Sequence, residues 1–353
     1  MRLHIWKIVF VIVCNVIHFA ISVELLSIGA AAVVGVGSFI YQNTLCRLKE
    51  CCTKNEIPAD FDKLEQLLDE KVYGQHLAKE TIVNALRGHW SDNYESPKAL
   101  TLSFHGWPGG GKNYIAGFIK DSLYALGSKS DHVHHFMGRI HFPEVARTQE
   151  YQDNLYQWIK GNVTRCQKQL FIFDEVNKMP PKVLNVIKPM IDYNQDVEKV
   201  DYRKAIFIFL SNTGESLITE KAIQLWKSGV RREDVGLKDF ESVITMGAFN
   251  EEGGFHHSDT IKSNLIDHYI PFLPMEHEHV RLCIIDQFKL RSVLEPKEEH
   301  IQEVMDFVEW GPLPDNLYSK TGCKRLSQKV AMTVQKYRIR EKAIEKSSEK
   351  TNS

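Results

Sequence analysis

The sequence predicts an α/β fold in which a large domain with a central parallel sheet precedes a small helical domain. Two runs, 170–173 and 205–210, consist almost wholly of apolar residues, as strands do when a parallel sheet buries both of their faces. Helical patterns alternate with such runs up to Glu276, beyond which only helical patterns remain. We therefore place the large domain at 46–275 and the helical domain at 276–337.

The composition is that of a globular protein. The chain has 353 residues, of which 43% are hydrophobic and 25% charged, and its net charge is −1. These values exclude a collagen-like or wholly disordered chain. A nearly neutral chain lacks the basic field that general nucleic-acid binding requires, so we expect no nucleic acid among its partners. Seven cysteines are too few for a disulfide scaffold in a chain of this length.

The N-terminus indicates entry into the secretory pathway. Basic residues precede an apolar run at 8–17, and the small residues Ala20 and Ser22 suit cleavage after position 22. We predict a signal peptide at 1–22; the alternative is an uncleaved membrane anchor.

A second apolar stretch, 25–46, contains no charged side chain and is long enough to cross a bilayer. Its three glycines weaken a helix. We predict that 23–45 associates with a membrane from the lumenal side, the alternatives being a full span and a buried core helix.

Hydrophobic spacing predicts the remaining elements in chain order. They are helices around 64–68 and 77–86, a strand at 99–104, a helix at 112–126, strands at 170–173 and 205–210, and helices at 280–290, 301–307 and 326–337. The charged tail, 338–353, is predicted to be a frayed helix or disordered.

A glycine-rich loop follows the 99–104 strand and runs directly into a helix. This strand–loop–helix context gives G-x-x-x-x-G-K its meaning as a phosphate-binding loop, because glycines let successive N–H groups turn toward an anion. The predicted nucleotide-binding residues are Gly106, Trp107, Pro108, Gly109, Gly110, Gly111, Lys112 and Asn113. Lys112 is expected to reach the β- and γ-phosphates, and Asn113 replaces the Ser or Thr that usually binds magnesium.

Polar side chains end the two buried strands. Asp174 and Glu175 come directly after 170–173, and Asn212 follows 205–210. The carboxyl ends of parallel strands form the crevice where such sheets bind ligands. We expect Asp174 to hold Mg²⁺ through water, Glu175 to polarise the attacking water and Asn212 to sense the γ-phosphate of ATP. The alternative is that the two carboxylates only cap the next helix.

Together these motifs resemble those of the Clp-type branch of AAA+ ATPases and, more narrowly, of the torsin family. The segments that carry the resemblance are Lys112-Asn113, Phe171–Glu175 running on to Lys178-Met179, Tyr73–Ala78, Trp226–Gly229, Asn264–Asp267, Pro271–Pro274 and Gly322-Cys323-Lys324. The resemblance covers about residues 40 to 330.

The resemblance implies a weak, membrane-associated AAA+ ATPase of the endoplasmic reticulum lumen and perinuclear space, with chaperone-like work in nuclear-envelope and membrane organisation. It implies activation by the lumenal domain of a transmembrane protein, and a homo- or hetero-oligomer at the membrane surface. It also adds Lys324 to the nucleotide-binding residues.

Leu265 stands where related Clp ATPases carry an arginine that reaches a neighbouring subunit's site. Leucine cannot stabilise charge on the transferred phosphoryl group, and an arginine finger is worth roughly 10³–10⁵ in rate. We therefore expect poor hydrolysis unless a partner supplies the cation.

Two other functions are open. One is a nucleotide-gated scaffold whose ATP state assembles or binds membrane proteins with little hydrolysis. The other is a processive unfoldase, for which Phe136-Met137-Gly138 is the candidate for the required aromatic pore loop.

Further predictions concern the cysteines, one asparagine and the histidines. The resemblance implies the disulfides Cys46–Cys166 and Cys283–Cys323, and leaves Cys51 and Cys52 unassigned. The sequon at 162–164 predicts a glycan on Asn162 in a lumenal chain. The histidine clusters lack the spacing of a zinc site, so we expect surface or loop positions for His132, His134, His135, His256, His257, His277 and His279.

Overall fold

The computed structural model describes residues 50–258, 261 and 263–351, with side chains described up to position 338. The predicted signal peptide and membrane-associating segment lie outside these residues. Within them, every helix is too short or too polar to span a bilayer. The residues from Cys52 onward form one compact unit.

The large domain contains a parallel sheet of five strands in the order β2-β3-β4-β1-β5. The strands are β1 Leu100–Gly106, β2 Val133–Met137, β3 Leu170–Asp174, β4 Ile206–Ser211 and β5 His268–Phe272. The predicted parallel sheet is confirmed, with β3, β4 and β1 at its centre. Hydrophobic spacing did not predict β2 and β5, the two edge strands.

Alternate residues of the central strands enter the cores on opposite faces of the sheet. Phe171 stacks on Phe207 with ring centroids 5.1 Å apart, and Phe173 stacks on Phe209 at 5.4 Å, all four fully buried on one face. Leucines and isoleucines of the same strands, Ile172 among them, pack on the other face. Burial on both faces accounts for the wholly apolar runs 170–173 and 205–210.

Helices cover both faces of the sheet and build the smaller domain. They are α1 Phe61–Lys71, α2 His76–His89, α3 Lys112–Leu123, α4 Gly138–His141, α5 Thr148–Arg165, α6 Lys188–Ile191, α7 Glu215–Lys227, α8 Lys238–Asn250, α9 His277–Lys289, α10 Glu298–Met305 and α11 Leu326–Thr351. The last three pack around Val280, Ile284, Phe288 and Val330, so the predicted helical lid is present.

The smaller domain departs from the expectation in one respect. It contains a short antiparallel pair, β6 Trp310–Gly311 and β7 Tyr318–Ser319, where only helices were predicted. Two-residue strands carry too little alternation for a periodicity test. Helix α11 continues through the charged tail to Thr351.

The prediction of surface or loop positions is wrong for His134 in β2 and His279 in α9, which are 8% and 7% exposed. His132 lies in a turn, as predicted, although it is 5% exposed. His134 stacks on Phe171 at 4.8 Å and its Nε2 hydrogen-bonds Gln169 Oε1 at 2.8 Å. A histidine buries its flat ring readily when a neutral partner satisfies its nitrogens, which residue spacing does not indicate.

Candidate nucleotide site

The phosphate loop joins β1 to α3 and is in contact with the helical domain. Gly106, Gly109 and Gly111 have φ values of 143°, 89° and 107°, a region that residues with a side chain rarely adopt. A Cβ on Gly109 would lie 2.0 Å from the carbonyl oxygen of Thr321, in the helical domain. The loop therefore needs glycine both for its conformation and for this close approach.

Lys112 begins α3 and is 8% exposed. Its Nζ donates hydrogen bonds to the carbonyl oxygens of Gly106 at 2.6 Å and Trp107 at 3.2 Å. Burial lowers the pKa of this ammonium to about 8, although the carboxylates of Glu215 and Asp174 favour its charged form. An incoming phosphate would stabilise the charged form further.

Asp174 lies at the end of β3 with its carboxylate held in place. Oδ2 accepts a hydrogen bond from Asn113 Nδ2 at 2.6 Å and lies 3.5 Å from His135 Nε2, and Oδ1 accepts from the Glu175 amide at 2.8 Å. Burial disfavours the ionised form, but these hydrogen bonds together lower the carboxyl pKa below its ordinary value. The carboxylate and the Asn113 amide oxygen are hard oxygen donors, which suit Mg²⁺.

Glu175 directly follows Asp174 at the end of β3, and Asn212 follows the neighbouring strand β4. Glu175 has φ 53°, and its Oε1 lies 3.6 Å from Arg139 Nε. A Cβ on Gly138 would lie 2.5 Å from the Glu175 carbonyl oxygen, so β2 and β3 approach closely here. Asn212 follows β4 and lines the same cavity as Glu175.

A cavity of about 780 Å³ lies between the sheet edge and the helical domain. The predicted site residues that line it are Pro108, Gly109, Gly110, Gly111, Lys112, Asn113, Asp174, Glu175, Asn212 and Lys324. Gly106 and Trp107 do not line it; the Trp107 indole instead donates a hydrogen bond to the Lys320 carbonyl. The structure thus brings ten of the twelve predicted residues around one cavity.

Sequence reasoning missed the residues that close the cavity. Tyr73 lines it, and its hydroxyl donates to Asp286 Oδ2 at 2.6 Å, which links the large domain to α9. Gln75 is buried, donates to the carbonyls of Gly110 and Leu273, and accepts from the Leu273 amide. Only the Tyr-Gly-Gln segment of the resemblance pointed to them.

A buried polar relay connects the phosphate loop to the Asn212 turn. His105, fully buried in β1, has Nε2 2.6 Å from Ser103 Oγ and Nδ1 3.1 Å from the Thr213 carbonyl oxygen. Thr213 Oγ1 in turn lies 2.9 Å from Ser211 Oγ. A neutral ring with its proton on Nδ1 donates to Thr213 and accepts from Ser103.

This relay predicts acid sensitivity. Burial lowers the His105 pKa to about 4, whereas in the unfolded chain histidine titrates near 6.5. The unfolded state therefore binds more protons between these values, so the free energy of unfolding should fall by up to about 3 kcal/mol as pH falls from about 6.5 to 4. Urea unfolding at a series of pH values measures this slope.

Two variants test whether His105 causes this loss of stability at low pH. His105→Gln should be less stable at neutral pH but show a shallower pH slope, because the titrating group is gone. His256→Gln, a change in a loop residue outside the relay, should keep the wild-type slope. An unchanged slope in His105→Gln would contradict the assignment.

Leu265 is 3% exposed and belongs to the core. Its carbonyl accepts hydrogen bonds from Thr101 Oγ1 at 2.7 Å and Lys98 Nζ at 3.3 Å. Lys98 also pairs with Asp267 at 2.7 Å. Backbone hydrogen bonds therefore hold Leu265 in place, and its side chain points into the core of the large domain.

Phe136 and Met137 belong to strand β2 rather than to a loop. The Phe136 ring stacks on Phe173 at 5.2 Å. This segment does not have the form of an aromatic pore loop.

Two disulfides are described. Cys283–Cys323, which was expected, joins α9 to the segment before α11, and both cysteines line the cavity. The other expected pairing, Cys46–Cys166, is wrong in this structure because Cys166 is bonded to Cys52, with the two Cα atoms 5.4 Å apart. Spacing cannot choose between such close cysteines.

The Cys52 pairing makes a distinct prediction. Cys52→Ser should leave the Cys166 thiol reactive toward a maleimide in the denatured, unreduced chain, whereas Cys46→Ser should leave it protected. The bond closes a segment of 114 residues, so Cys52→Ser, Cys166→Ser and the double variant should each lose the same roughly 2–5 kcal/mol of stability. A protected Cys166 in Cys52→Ser would contradict the pairing.

Glycosylation of Asn162 stays a prediction. The residue lies in α5, where it is 5% exposed and its Nδ2 donates to the Trp158 carbonyl at 2.8 Å. A glycan there would require the side chain to turn outward.

Known proteins share this architecture and sequence. The solved structure of the S. cerevisiae Hsp104–ADP complex superposes with a TM-score of 0.51 at 18% identity, over 85% of this chain and 49% of that one. This chain thus spans about half of that protein. With the topology described above, the likeness shows the fold class: an AAA+ fold, in which a large α/β domain is followed by a small helical domain.

The sequence comparisons narrow the class. A Torsin-like protein of Drosophila melanogaster is 39% identical over 317 residues, covering 89% of this chain and 93% of that protein. A Torsin-like protein of Caenorhabditis elegans is 35% identical over 315 residues, covering 88% of each. The family model named Torsin matches residues 46–173. The chain belongs to the torsin family.

Proposed function

We propose that this protein is an ATPase of the endoplasmic reticulum lumen and perinuclear space that hydrolyses ATP slowly alone and is activated by the lumenal domain of a membrane protein. Activation consists of an arginine supplied in trans. The observation that carries the proposal is a complete nucleotide cavity combined with an inward-facing Leu265. The work performed is membrane and protein organisation, as the family resemblance implies.

In this proposal each polar residue of the cavity has a separate role in ATP hydrolysis. Lys112 binds the β- and γ-phosphates, and Lys324 approaches them from the helical domain. Asp174 and Asn113 would hold Mg²⁺, which when bound neutralises phosphate charge. Glu175 polarises the attacking water, and Asn212 orients it against the γ-phosphate.

A nucleotide-gated scaffold is the second candidate, and the contacts of the helical domain favour it. The Cys323 amide donates to the Gly109 carbonyl oxygen at 3.2 Å, so the helical domain contacts the phosphate loop directly. A nucleotide that displaces this contact would move the helical domain and could thereby change which proteins bind.

ATP turnover measured with and without candidate lumenal domains tests the proposal. A partner that raises turnover by at least about 100-fold supports the activated ATPase. A partner that binds only in ATP and leaves turnover unchanged supports the scaffold instead. Lys112→Ala should abolish both effects and serves as the control.

A further inference from the structure

A second pocket, remote from the nucleotide cavity, is surrounded by positive charge. It has a volume of about 370 Å³ and lies beside the Cys52–Cys166 disulfide, where α5 ends. Four cationic side chains line it, Lys54, Arg165, Lys168 and Lys204, and its lining contains no carboxylate. We call this the basic pocket.

The charges of the basic pocket are only partly compensated. Lys54 and Lys204 are exposed and form no ion pair with any residue that the structure describes. Arg165 is turned onto its own helix, where it bonds Asn162 and the Gly161 carbonyl. Holding like charges together costs free energy that a bound anion would recover.

Trp90, which does not itself line the basic pocket, contacts two of its lysines. Its indole donates to the Lys204 carbonyl at 2.9 Å, and the Lys168 ammonium lies 4.8 Å from the ring centroid. Burial, with the charges of Lys204 and Lys54, lowers the Lys168 pKa. The charge of Asp92 opposes this shift, and Asp201 is already paired with Arg203 through two contacts of 3.0 and 2.9 Å. The lining of the basic pocket therefore keeps an excess of positive charge.

The sequence connects the basic pocket to the apolar stretch. Cys52, fixed at the pocket by its disulfide, follows the last residue of the 25–46 run by only six positions. Six residues of extended chain span at most about 22 Å. If the apolar stretch binds a membrane, the basic pocket is confined to the neighbourhood of the lipid headgroups.

We propose that the basic pocket binds the phosphate groups of anionic phospholipids. The proposal rests on the membrane association included in the proposed function, to which it adds a lipid class. The apolar stretch supplies binding to any bilayer, whereas the basic pocket supplies preference for negative charge. Each lysine near an anionic surface strengthens partitioning by about fivefold, and salt weakens the effect.

Vesicle flotation of the full chain tests the proposal. We compare phosphatidylcholine vesicles with vesicles that also contain phosphatidylserine, using the wild type and the triple variant Lys54→Gln, Lys168→Gln, Lys204→Gln. The triple variant should lose about 100-fold of the preference for phosphatidylserine and keep its binding to phosphatidylcholine. The charge-matched control Lys129→Gln, Lys199→Gln, Lys238→Gln, whose exposed lysines lie outside the pocket, should keep the preference.

The remaining results separate the possibilities. An unchanged preference in the triple variant would overturn the proposal. So would inorganic phosphate or a poly-glutamate peptide that binds through the same lysines while vesicle binding does not depend on them. Deletion of 23–45 should abolish binding to phosphatidylcholine; a failure there counts against the proposed membrane association and leaves the phosphatidylserine comparison to judge the basic pocket.

Discussion

Lys112→Ala is expected to abolish ATP binding, whereas Glu175→Gln is expected to retain binding and block hydrolysis. Lys112 is buried at the start of α3 with its ammonium inside the phosphate loop, so it contacts phosphates in the ground state. Two charge-assisted hydrogen bonds lost there should weaken ATP binding by more than about 100-fold. In the proposed mechanism Glu175 acts on water alone, and loss of such a general base should lower kcat by about 10²–10⁴-fold.

Equilibrium binding of labelled ATP, together with single-turnover hydrolysis, measures both effects. Lys120→Ala is the matched control, because it removes a lysine near the other end of α3, outside the cavity. It should bind and hydrolyse ATP like the wild type. Equal losses of affinity in Lys112→Ala and Glu175→Gln would refute the division of roles.

The centre of the fold was predictable because its strands are buried on both faces. Apolar runs around Phe171 and Phe207 have no solvent-facing side, so composition alone distinguishes them. The edge strands β2 and β5 differ: β2 contains His134 and His135, and β5 contains Pro271. Edge strands tolerate polar residues and proline because one side of their backbone forms no ladder, so their sequences resemble loops.

The candidate site was predictable where its residues follow strands or glycines. Lys112, Asp174 and Asn212 each occupy a position that the order of strand, loop and helix specifies. Gln75 and His105 act through buried hydrogen bonds to segments remote in sequence, Leu273 and Thr213. No local pattern records such a partner, so only the structure assigns them.

The largest expected effect follows from the absence of an arginine at position 265. The isolated chain should hydrolyse ATP very slowly, because Lys112 and one Mg²⁺ neutralise only part of the charge on the γ-phosphoryl oxygens in the transition state. A partner that presents an arginine should raise kcat by about 10³–10⁵-fold with little change in ATP affinity, since the gain is made only in the transition state.

The variant Leu265→Arg tests whether the arginine must come from a partner or can be replaced by one at position 265. Were an arginine at this position all that an assembly of these chains lacked, Leu265→Arg should restore activity in the neighbouring subunit. The side chain is 3% exposed, inside the core, and its backbone is bonded to Thr101 and Lys98. Leu265→Arg should therefore destabilise the fold by several kcal/mol through a buried, unpaired charge, without increasing turnover.

Single-turnover measurements at saturating ATP test whether hydrolysis by the isolated chain is slow. A rate near about 1 s⁻¹ or above for the isolated chain, typical of self-sufficient enzymes, would contradict the prediction. So would an activating partner whose interface arginines can all be replaced by alanine without loss. A lysine in place of the decisive arginine should restore only part of the activation, because an ammonium keeps the charge but lacks the planar fork that binds two phosphoryl oxygens at once. If activation requires this arginine, ATP hydrolysis by this chain should depend on where the partner resides.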